Sequence, residues 1–269
     1  MDLSNVKLVV TDMDGTLLNS KHEVSPLFFE LFEKLKRNKI LFVAASGRQY
    51  HSILDKLKPI EKDITIVAEN GAYVVRNGET LFINAFSKET IVQLLIEILK
   101  IPGANPVLCG KKRAYFLKGN KKFEGTVSEY YCEYELLDNF NDLPNDDFLK
   151  IAICHHQGSE ANLYPQLKHL ESQWQLKVSG ELWLDIALNE NHKGNAIARF
   201  QKEFNISPEQ TMAFGDYLND TEMLKLAQYS FAMENAHPKV KETANYQTLS
   251  NDNLGVESVL SKLIAGRKN

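Results

Sequence analysis

The order of apolar and polar positions along the chain predicts strands that alternate with helices. Short apolar runs typical of buried strands lie at 6–10, 40–45 and 64–68. Between them, apolar residues recur at helical spacing after Ser25-Pro26, and a second helix is predicted over 49–57. The alternation resumes at Lys193, with further strands predicted at 211–214 and 229–233. This order indicates an α/β fold with a doubly wound, Rossmann-like parallel sheet, formed by residues 1–83 and 190–269.

The segment 84–189 has a different pattern, in which predicted hairpins are mixed with helices. Paired strands with intervening helices are typical of an α+β module with an antiparallel sheet. We therefore predict a second, α+β domain inserted into the first domain. The pattern places its helices at 87–100, 122–132 and 160–170, and its strands at 106–109, 113–117, 148–154, 175–178 and 182–188.

Composition and charge exclude several classes of partner. The chain has 269 residues, 43% of them hydrophobic and 25% charged, with a net charge of −4 and no basic stripe. A nucleic-acid-binding surface is therefore not indicated. No apolar run approaches the roughly 20 residues that span a bilayer, so no membrane association is expected, and no obligate protein partner is evident.

The cysteines and the paired histidines do not indicate a metal site. Cys109, Cys132 and Cys154 are far apart and lack metal-ligand spacing. We expect them to be reduced thiols in a cytoplasmic protein. His155-His156 has no third ligand at metal spacing, so we interpret it as a polar pair on the surface or in the core.

Two carboxylates follow the first predicted strand. Asp12 and Asp14 are separated by one residue, and Gly15 allows the chain to turn sharply after them. Ligands of open α/β sheets bind beyond the carboxyl ends of the strands. Two carboxylates so close remain ionised only when a cation or strong donors offset their charge, and Mg²⁺ suits oxygen ligands. A polar turn at the strand end is the structural alternative. An EF-hand loop is excluded because its sixth position requires glycine, and Leu17 stands there.

Other chemically active side chains are predicted at neighbouring strand ends and at one helix start. Phosphoryl transfer requires a nucleophile, a metal, groups that neutralise phosphoryl charge, and an acid for the leaving group. Any one of these residues has an ordinary structural explanation, whereas the full set in this order points to phosphoryl transfer. Besides Asp12 and Asp14, the set contains Ser46, Lys193, Asp216 and Asp220.

The same stretches resemble the four motifs of the haloacid dehalogenase (HAD) superfamily. They are Asp12-Met13-Asp14-Gly15-Thr16, Ala45-Ser46-Gly47-Arg48, Lys193-Gly194 and Gly215-Asp216-Tyr217-Leu218-Asn219-Asp220. Within the superfamily, the chain resembles the Cof-type (IIB) phosphatases, which carry a large α/β cap, and it is similar to bacterial sugar-phosphate phosphatases. Two further stretches resemble that subfamily, Glu69-Asn70-Gly71-Ala72 and Ala232-Met233-Glu234-Asn235-Ala236.

The resemblance implies a role for each matching residue. Asp12 would attack phosphorus and become an aspartyl-phosphate, and Asp14 would act as general acid and then general base. Mg²⁺ would be held by Asp12, the backbone carbonyl of Asp14 and Asp216, while Asp220 would support the metal's waters or Lys193. Lys193 would neutralise the phosphoryl group and hold the nucleophile. The groups at the phosphate would be Ser46, Met13, Gly47 and Asn219, and Arg48 would contact substrate or form a structural ion pair.

The inserted domain, 84–189, corresponds to the cap of that subfamily. Two of its residues are candidates for contacting the leaving group. Glu181 could accept hydrogen bonds from sugar hydroxyls, and Trp183 could pack against a ring face, since both lie at a predicted hairpin. The alternatives are a solvated Glu181 and a Trp183 that packs inside the cap.

These features together predict a Mg²⁺-dependent phosphatase that acts through an aspartyl-phosphate. Its substrate would be a small phosphorylated metabolite, with a sugar phosphate as the favoured class. A phosphomutase that uses the same intermediate is the first alternative. The second is a catalytically silent, metabolite-binding regulator, which would not need the complete set of residues.

Overall fold

The structure is a computed structural model that describes residues 2–131 and 133–267. Its strands, numbered along the chain, are β1 (Leu8–Asp12), β2 (Leu41–Ala45), β3 (Thr65–Ala68), β4 (Tyr73–Arg76), β5 (Glu79–Ile83), β6 (Asn105–Gly110), β7 (Ala114–Leu117), β8 (Tyr134–Leu137), β9 (Phe148–Cys154), β10 (Gln175–Val178), β11 (Trp183–Ala187), β12 (Thr211–Gly215), β13 (Tyr229–Ala232) and β14 (Tyr246–Gln247). The α-helices are α1 (Pro26–Arg37), α2 (Tyr50–Leu57), α3 (Lys88–Ile98), α4 (Lys121–Tyr130), α5 (Ser159–Asn162), α6 (Tyr164–Leu167), α7 (Lys193–Glu203), α8 (Thr221–Lys225), α9 (Pro238–Thr243) and α10 (Gly255–Ala265).

Two units are present. The core unit runs up to Ile83 and resumes at His192, and the cap unit is Asn84–Asn191. Within residues 2–131 and 133–267, no helix combines the length and apolar character needed to cross a bilayer.

The core unit contains the doubly wound sheet that the sequence predicts. Its strand order is β14-β13-β12-β1-β2-β3-β4-β5, with parallel pairing from β14 to β3 and an antiparallel edge formed by β4 and β5. The chain moves from β1 towards β2 in one direction and later occupies β12 on the other side of β1. This change of direction makes the carboxyl end of β1 a topological switch point, where ligands of such sheets bind.

Helix α1 illustrates how local sequence sets the core. Ser25 caps it, since its Oγ accepts a hydrogen bond from the Phe28 N–H at 3.1 Å, and Pro26 occupies the first turn. The buried face of the helix packs on β2, where the rings of Phe28 and Phe32 lie 5.2 and 5.7 Å from that of Phe42. Burial of these rings stabilises the junction of helix and sheet by roughly 1.5–3 kcal/mol per side chain.

The cap unit contains the predicted α+β module, with the strand order β10-β11-β9-β6-β7-β8. Its pairs are antiparallel except for β7 with β8. Ile151 and Ile153 belong to one apolar cluster and Ala152 and Cys154 to another, so the sheet has apolar residues on both faces.

Several element predictions were wrong in detail. The first strand is Leu8–Asp12 and not 6–10, so Asp12 is itself the last strand residue. The helix predicted over 160–170 is broken into α5, α6 and a 3₁₀ turn at Lys168–Ser172, because Pro165 removes a backbone donor. The strands β8 and β14 were not predicted. Cys132, the predicted end of the second cap helix, lies outside the described residues.

Candidate active site

The predicted site residues of the core unit lie at the carboxyl ends of its central strands. Asp12 ends β1, Ser46 follows β2, Asp216 follows β12, and Lys193 is the first residue of α7. The imidazole of His192 caps α7, accepting a hydrogen bond from the Asn195 N–H at 3.1 Å. This cap fixes the first turn of the helix, and therefore the backbone position from which the Lys193 side chain extends.

Lys193 connects two carboxylates in the interior of the site. Its side chain is fully buried, and Nζ forms ion pairs with Asp12 and with Asp220, the latter at 2.7 Å from Oδ1. Burial lowers the pKa of the Lys193 ammonium, but the charges of Asp12 and Asp220 outweigh it and hold the pKa above its ordinary value. Lys193 is therefore a permanent positive charge beside the Asp12 carboxylate.

A third carboxylate leaves this centre with an excess of negative charge. Oxygens of Asp12, Asp216 and Asp220 all lie within 4.8 Å of one another. Burial first, and then repulsion from Asp220, raise the pKa of Asp12 well above its ordinary value and that of Asp216 to about 6. Lys193 forms ion pairs with only two of these three carboxylates, and the atoms that the three offer to a metal are all oxygens. This is the donor set that fits Mg²⁺.

Asp220 is held by hydrogen bonds within the protein. Its Oδ1 accepts from Lys193, and its Oδ2 accepts from the backbone N–H groups of Asp216 at 3.0 Å and Tyr217 at 3.1 Å. Both oxygens are thus engaged, so Asp220 fixes the turn that carries Asp216 and orients Lys193. Of the two roles expected for Asp220, this geometry favours support of Lys193.

Thr16 is a site residue to which the sequence reasoning gave no role. Its Oγ1 donates to Asp216 Oδ1 at 2.9 Å, which joins the turn after β1 to the loop after β12. Gly15, with φ of +73°, allows this approach, because a Cβ there would lie 2.3 Å from Asp216 Oδ2. The Asp-Gly-Thr sequence was the available signal for Thr16.

Asp14 is partly exposed and is paired with Arg48. Arg48 donates from Nε to Asp14 Oδ2 at 2.6 Å and from Nη2 to Oδ1 at 2.5 Å, and His22 Nδ1 lies 3.4 Å from Oδ1. Burial raises the pKa of Asp14, but the hydrogen bonds and charge of Arg48 outweigh it, and the net pKa lies below its ordinary value. Of the two alternatives for Arg48, the structure contains the ion pair.

The predicted phosphate-binding residues lie on three loops beside this centre, those that follow β1, β2 and β12. Ser46 is buried, and its Oγ accepts from the Arg48 N–H at 3.1 Å, beside Gly47. Met13 has a fully buried side chain, so only its backbone could contact a phosphate. Asn219 donates from Nδ2 to Asn70 Oδ1 at 3.1 Å. No role for Asn70 is predicted from the sequence.

The two residues predicted to contact the leaving group, Glu181 and Trp183, both belong to the cap unit. Trp183 is buried in the cluster of the cap unit that includes Cys154, with its ring 6.3 Å from that of Tyr131. Its position is that of the packing alternative. Glu181 is exposed at the turn before β11, where its carbonyl accepts from the Ser159 N–H at 2.8 Å.

The paired histidines and the cysteines contribute no metal site in residues 2–131 and 133–267. The one candidate metal group there is that of Asp12, Asp216 and Asp220. His155 is buried, with Nε2 3.1 Å from the carbonyl of Pro102, which agrees with its interpretation as a core residue. Cys109 and Cys154 are buried and form no disulfide within the described residues, as expected for reduced thiols.

The sequence of residues 9–260 matches the family model of the haloacid dehalogenase-like hydrolases. The chain belongs to this family. It is 34% identical over 267 residues to the 5-amino-6-(5-phospho-D-ribitylamino)uracil phosphatase YbjI of Escherichia coli strain K12, covering 97% of each chain. The match confirms the resemblance inferred from the motifs and identifies the chain as a hydrolase of phosphoric monoesters.

Two solved structures agree with the fold described above. The crystal structure of SMU.1108c from Streptococcus mutans UA159 superimposes with a TM-score of 0.86 at 34% identity, covering 97% of this chain and 99% of that one. The HAD subclass IIB sugar phosphatase BT4131 shares the fold, with a TM-score of 0.79 at 21% identity, covering 96% of this chain and 98% of the other.

Proposed function

We propose that this hydrolase is a Mg²⁺-dependent phosphatase that acts through an aspartyl-phosphate on a small metabolite whose phosphate is esterified to a sugar or polyol. One observation carries the proposal. The buried ammonium of Lys193 lies between Asp12 and Asp220 beside a third carboxylate, Asp216. Such a centre is suited to hold a nucleophilic carboxylate next to a phosphoryl dianion only when a cation joins it.

In the first half-reaction, an oxygen of Asp12 forms a bond to phosphorus while the bond from phosphorus to the ester oxygen breaks. The leaving oxygen takes a proton from Asp14. In the second half-reaction, water attacks phosphorus, Asp14 takes the proton of that water, and the bond from Asp12 to phosphorus breaks. The products are the dephosphorylated metabolite and inorganic phosphate, with both carboxyl groups returned to their starting states.

The metal would be held by Asp12, Asp216 and the backbone carbonyl of Asp14, while Asp220 positions Lys193. When bound, Mg²⁺ supplies positive charge to the phosphoryl oxygens and lowers the repulsion between them and the carboxylates. Lys193 adds its own charge, and Ser46 offers a hydroxyl at the end of the neighbouring strand.

Asp14 can act as an acid only after it loses the ion pair with Arg48 and gains a proton. The Arg48 ion pair favours its ionised form, whereas protonation of the leaving group requires the neutral form. Substrate binding would therefore draw Arg48 away from Asp14, since a phosphate dianion is a competing partner for a guanidinium. Once Arg48 is drawn away, Asp14 would take up a proton from solvent, so the acid would be formed only when substrate is present.

The substrate class is supported by the Escherichia coli relative, whose named substrate carries its phosphate on a ribityl chain. That chain presents a phosphate ester next to several hydroxyls, as sugar phosphates do. The cap unit is the part of the chain outside the core motifs. We propose that it acts as a lid, which excludes water and contacts the leaving group.

Phosphate release from a panel of sugar, polyol, flavin, pyridoxal and nucleotide phosphates would test the proposal. We expect release with Mg²⁺, its loss in excess chelator and its return when Mg²⁺ is restored. Full turnover by protein whose metal content is measured as nil would contradict the metal role. Isomerised sugar phosphate without phosphate release would indicate the phosphomutase, and no turnover on any ester would favour the regulator.

A further inference from the structure

The turn after β3 has an unusual backbone. Glu69, Asn70 and Gly71 have φ values of +49°, +54° and +106°, so two residues with side chains adopt the left-handed region in succession. L-residues adopt this region at a cost in free energy and persist there only where their surroundings require it. Strain of this kind clusters at functional sites, which makes the contacts of the turn informative.

This turn is joined to two of the motifs that build the active site. The Asn70 N–H donates to the Ser46 carbonyl at 2.9 Å, and the Glu69 N–H donates to the Arg48 carbonyl at 3.0 Å. On its other side, a Cβ at Gly71 would lie 2.7 Å from the carbonyl of His192, the residue before Lys193. The turn therefore fits between the loop of Ser46 and the start of α7.

The Asn70 side chain connects to a third motif. Its Oδ1 accepts from Asn219 Nδ2 at 3.1 Å, although β3 and β12, which precede these residues, lie on opposite sides of the β1–β2 pair. The two loops must therefore converge across the strand ends that carry Asp12 and Ser46. A Cβ built on Gly47 would lie 3.2 Å from both Oδ1 and Nδ2 of Asn70, which places this amide beside the phosphate-binding loop.

The bond from Asn219 also fixes the direction of the Asn70 amide. Because Oδ1 is occupied as an acceptor, Nδ2 is turned the other way, and it donates to no acceptor among residues 2–131 and 133–267. Asn70 is half-buried, so this donor is partly withdrawn from solvent. A fixed neutral donor beside Ser46 and Gly47 is suited to a phosphoryl oxygen.

We propose that Asn70 binds the transferring phosphoryl group through Nδ2, with Asn219 holding its amide in position. This inference rests on the proposed phosphatase function and adds a residue to that site. The strained backbone and the Asn219 hydrogen bond set the donor in place before the substrate arrives, so little reorganisation is needed when phosphate binds.

The test uses two substitutions that tolerate a positive φ. Asn70→Gly removes the amide, and Asn70→Asp keeps an acceptor for Asn219 but replaces the donor with a negatively charged oxygen. The chain offers a matched control in Asn77, which has φ of +52° in the exposed turn between β4 and β5. Asn77→Gly and Asn77→Asp make the same chemical changes away from the site.

The probe is inorganic phosphate with the Mg²⁺-loaded protein, measured by calorimetry and as a competitive inhibitor of hydrolysis. We expect Asn70→Gly to weaken phosphate binding and lower kcat/KM by roughly 10- to 100-fold, the usual effect of losing a hydrogen bond to a charged group. Asn70→Asp should weaken both more. The Asn77 variants should stay within about twofold of wild type, since no ligand-binding group is altered.

Two results would overturn the proposal. One is phosphate binding by Asn70→Gly within about twofold of wild type, even if kcat falls, because Asn70 would then position other groups only. The other is unfolding of both Asn70 variants while the Asn77 variants remain folded. If wild type hydrolyses no ester, the proposed function fails. Phosphate binding that is weakened in Asn70→Asp would still support the Asn70 contact, and no binding by wild type would overturn it.

Discussion

Lys193 determines the charge balance of the site at the scale of single residues. Its one positive charge is shared by Asp12 and Asp220, which leaves Asp216 with a carboxyl group whose hydrogen bond comes from Thr16. The pKa of Asp216, raised to about 6 by burial and by Asp220, measures how poorly the centre tolerates a further negative charge. A bound cation and a bound proton are therefore competing ways to relieve the same repulsion.

The stability of the metal-free protein should rise as the pH falls from about 7 to about 5. The pKa of Asp216 is about 6 in the folded protein, whereas an unperturbed aspartate, as in the unfolded chain, has a pKa of 3.8. Between these values the folded state binds more protons than the unfolded state, so the free energy of unfolding increases on acidification, by about 1–3 kcal/mol. Urea unfolding in excess chelator across this pH range measures the change.

Two comparisons isolate Asp216 in that experiment. Asp216→Asn should reduce the pH dependence, whereas Asp63→Asn, at a solvent-exposed ion pair with Lys36, should leave it unchanged. Added Mg²⁺ should stabilise wild type most at the upper end of the range, because protons compete for the same oxygens. An identical slope in wild type and Asp216→Asn would contradict this assignment.

At the scale of elements, the turn Glu69–Gly71 packs closely against the start of α7. Gly71→Ala would bring a methyl group against the His192 carbonyl at a residue with φ of +106°. We expect a loss of about 2–4 kcal/mol in the free energy of unfolding and a lower kcat, because Lys193 follows His192 directly. Chemical denaturation and steady-state kinetics measure the two effects.

Gly78→Ala is the matched control for this substitution. Gly78 has φ of +80°, and a Cβ there meets nothing within 4 Å, so only backbone strain remains. We expect a loss of about 1 kcal/mol and unchanged kcat. Equal losses of stability and activity in the two variants would show that the approach of His192 is unimportant.

The elements that the sequence predicted well are those with a clear local signal. The apolar runs of β2 and β12 are buried along nearly their full length, and the Ser25-Pro26 cap begins α1 as expected. The strand β8 was missed because three of its four side chains are exposed, so its pairing with β7 leaves no alternating pattern. The pair β13–β14 involves two residues of the edge strand, too few for any pattern.

For the site, predictability depended on spacing within the chain. The grouping of Asp12, Asp216 and Lys193 could be predicted because each sits in a short motif at an element end. The contact of Asn70 with Asn219 spans 149 positions and depends on two loops that meet only in the fold. Trp183 remained ambiguous because alternation along β11 separates the two faces of a strand without telling which face is covered.

At the scale of the whole molecule, we expect the chemical step and the choice of substrate to depend on different units. The cap unit has its own apolar clusters, formed around β9 on either face of its sheet. The core unit contains the full set of motif residues. We therefore expect substitutions in the cap unit to change which phosphate esters are hydrolysed, with less effect on the chemical step itself.

Glu181→Ala tests this division in the cap unit. The exposed Glu181 carboxylate is expected to accept hydrogen bonds from substrate hydroxyls, so its loss should raise KM for the preferred sugar or polyol phosphate by roughly 10-fold or more. Hydrolysis of an aryl phosphate, which lacks those hydroxyls, should change little. Glu160→Ala, at another exposed position of the same unit, is the control. Equal losses on both substrates would assign Glu181 to folding or closure.

In the proposed reaction, Asp12 carries the phosphoryl group during turnover. The most direct measurement is peptide mass spectrometry of Asp14→Asn after acid quenching of its reaction with an aryl phosphate. The good leaving group needs no acid, but water then lacks its base, so the intermediate should accumulate. We predict a phosphoryl group on Asp12 that is absent when Asp12→Asn is added. Phosphate release by Asp14→Asn with no phosphorylated Asp12 at any time would contradict the account.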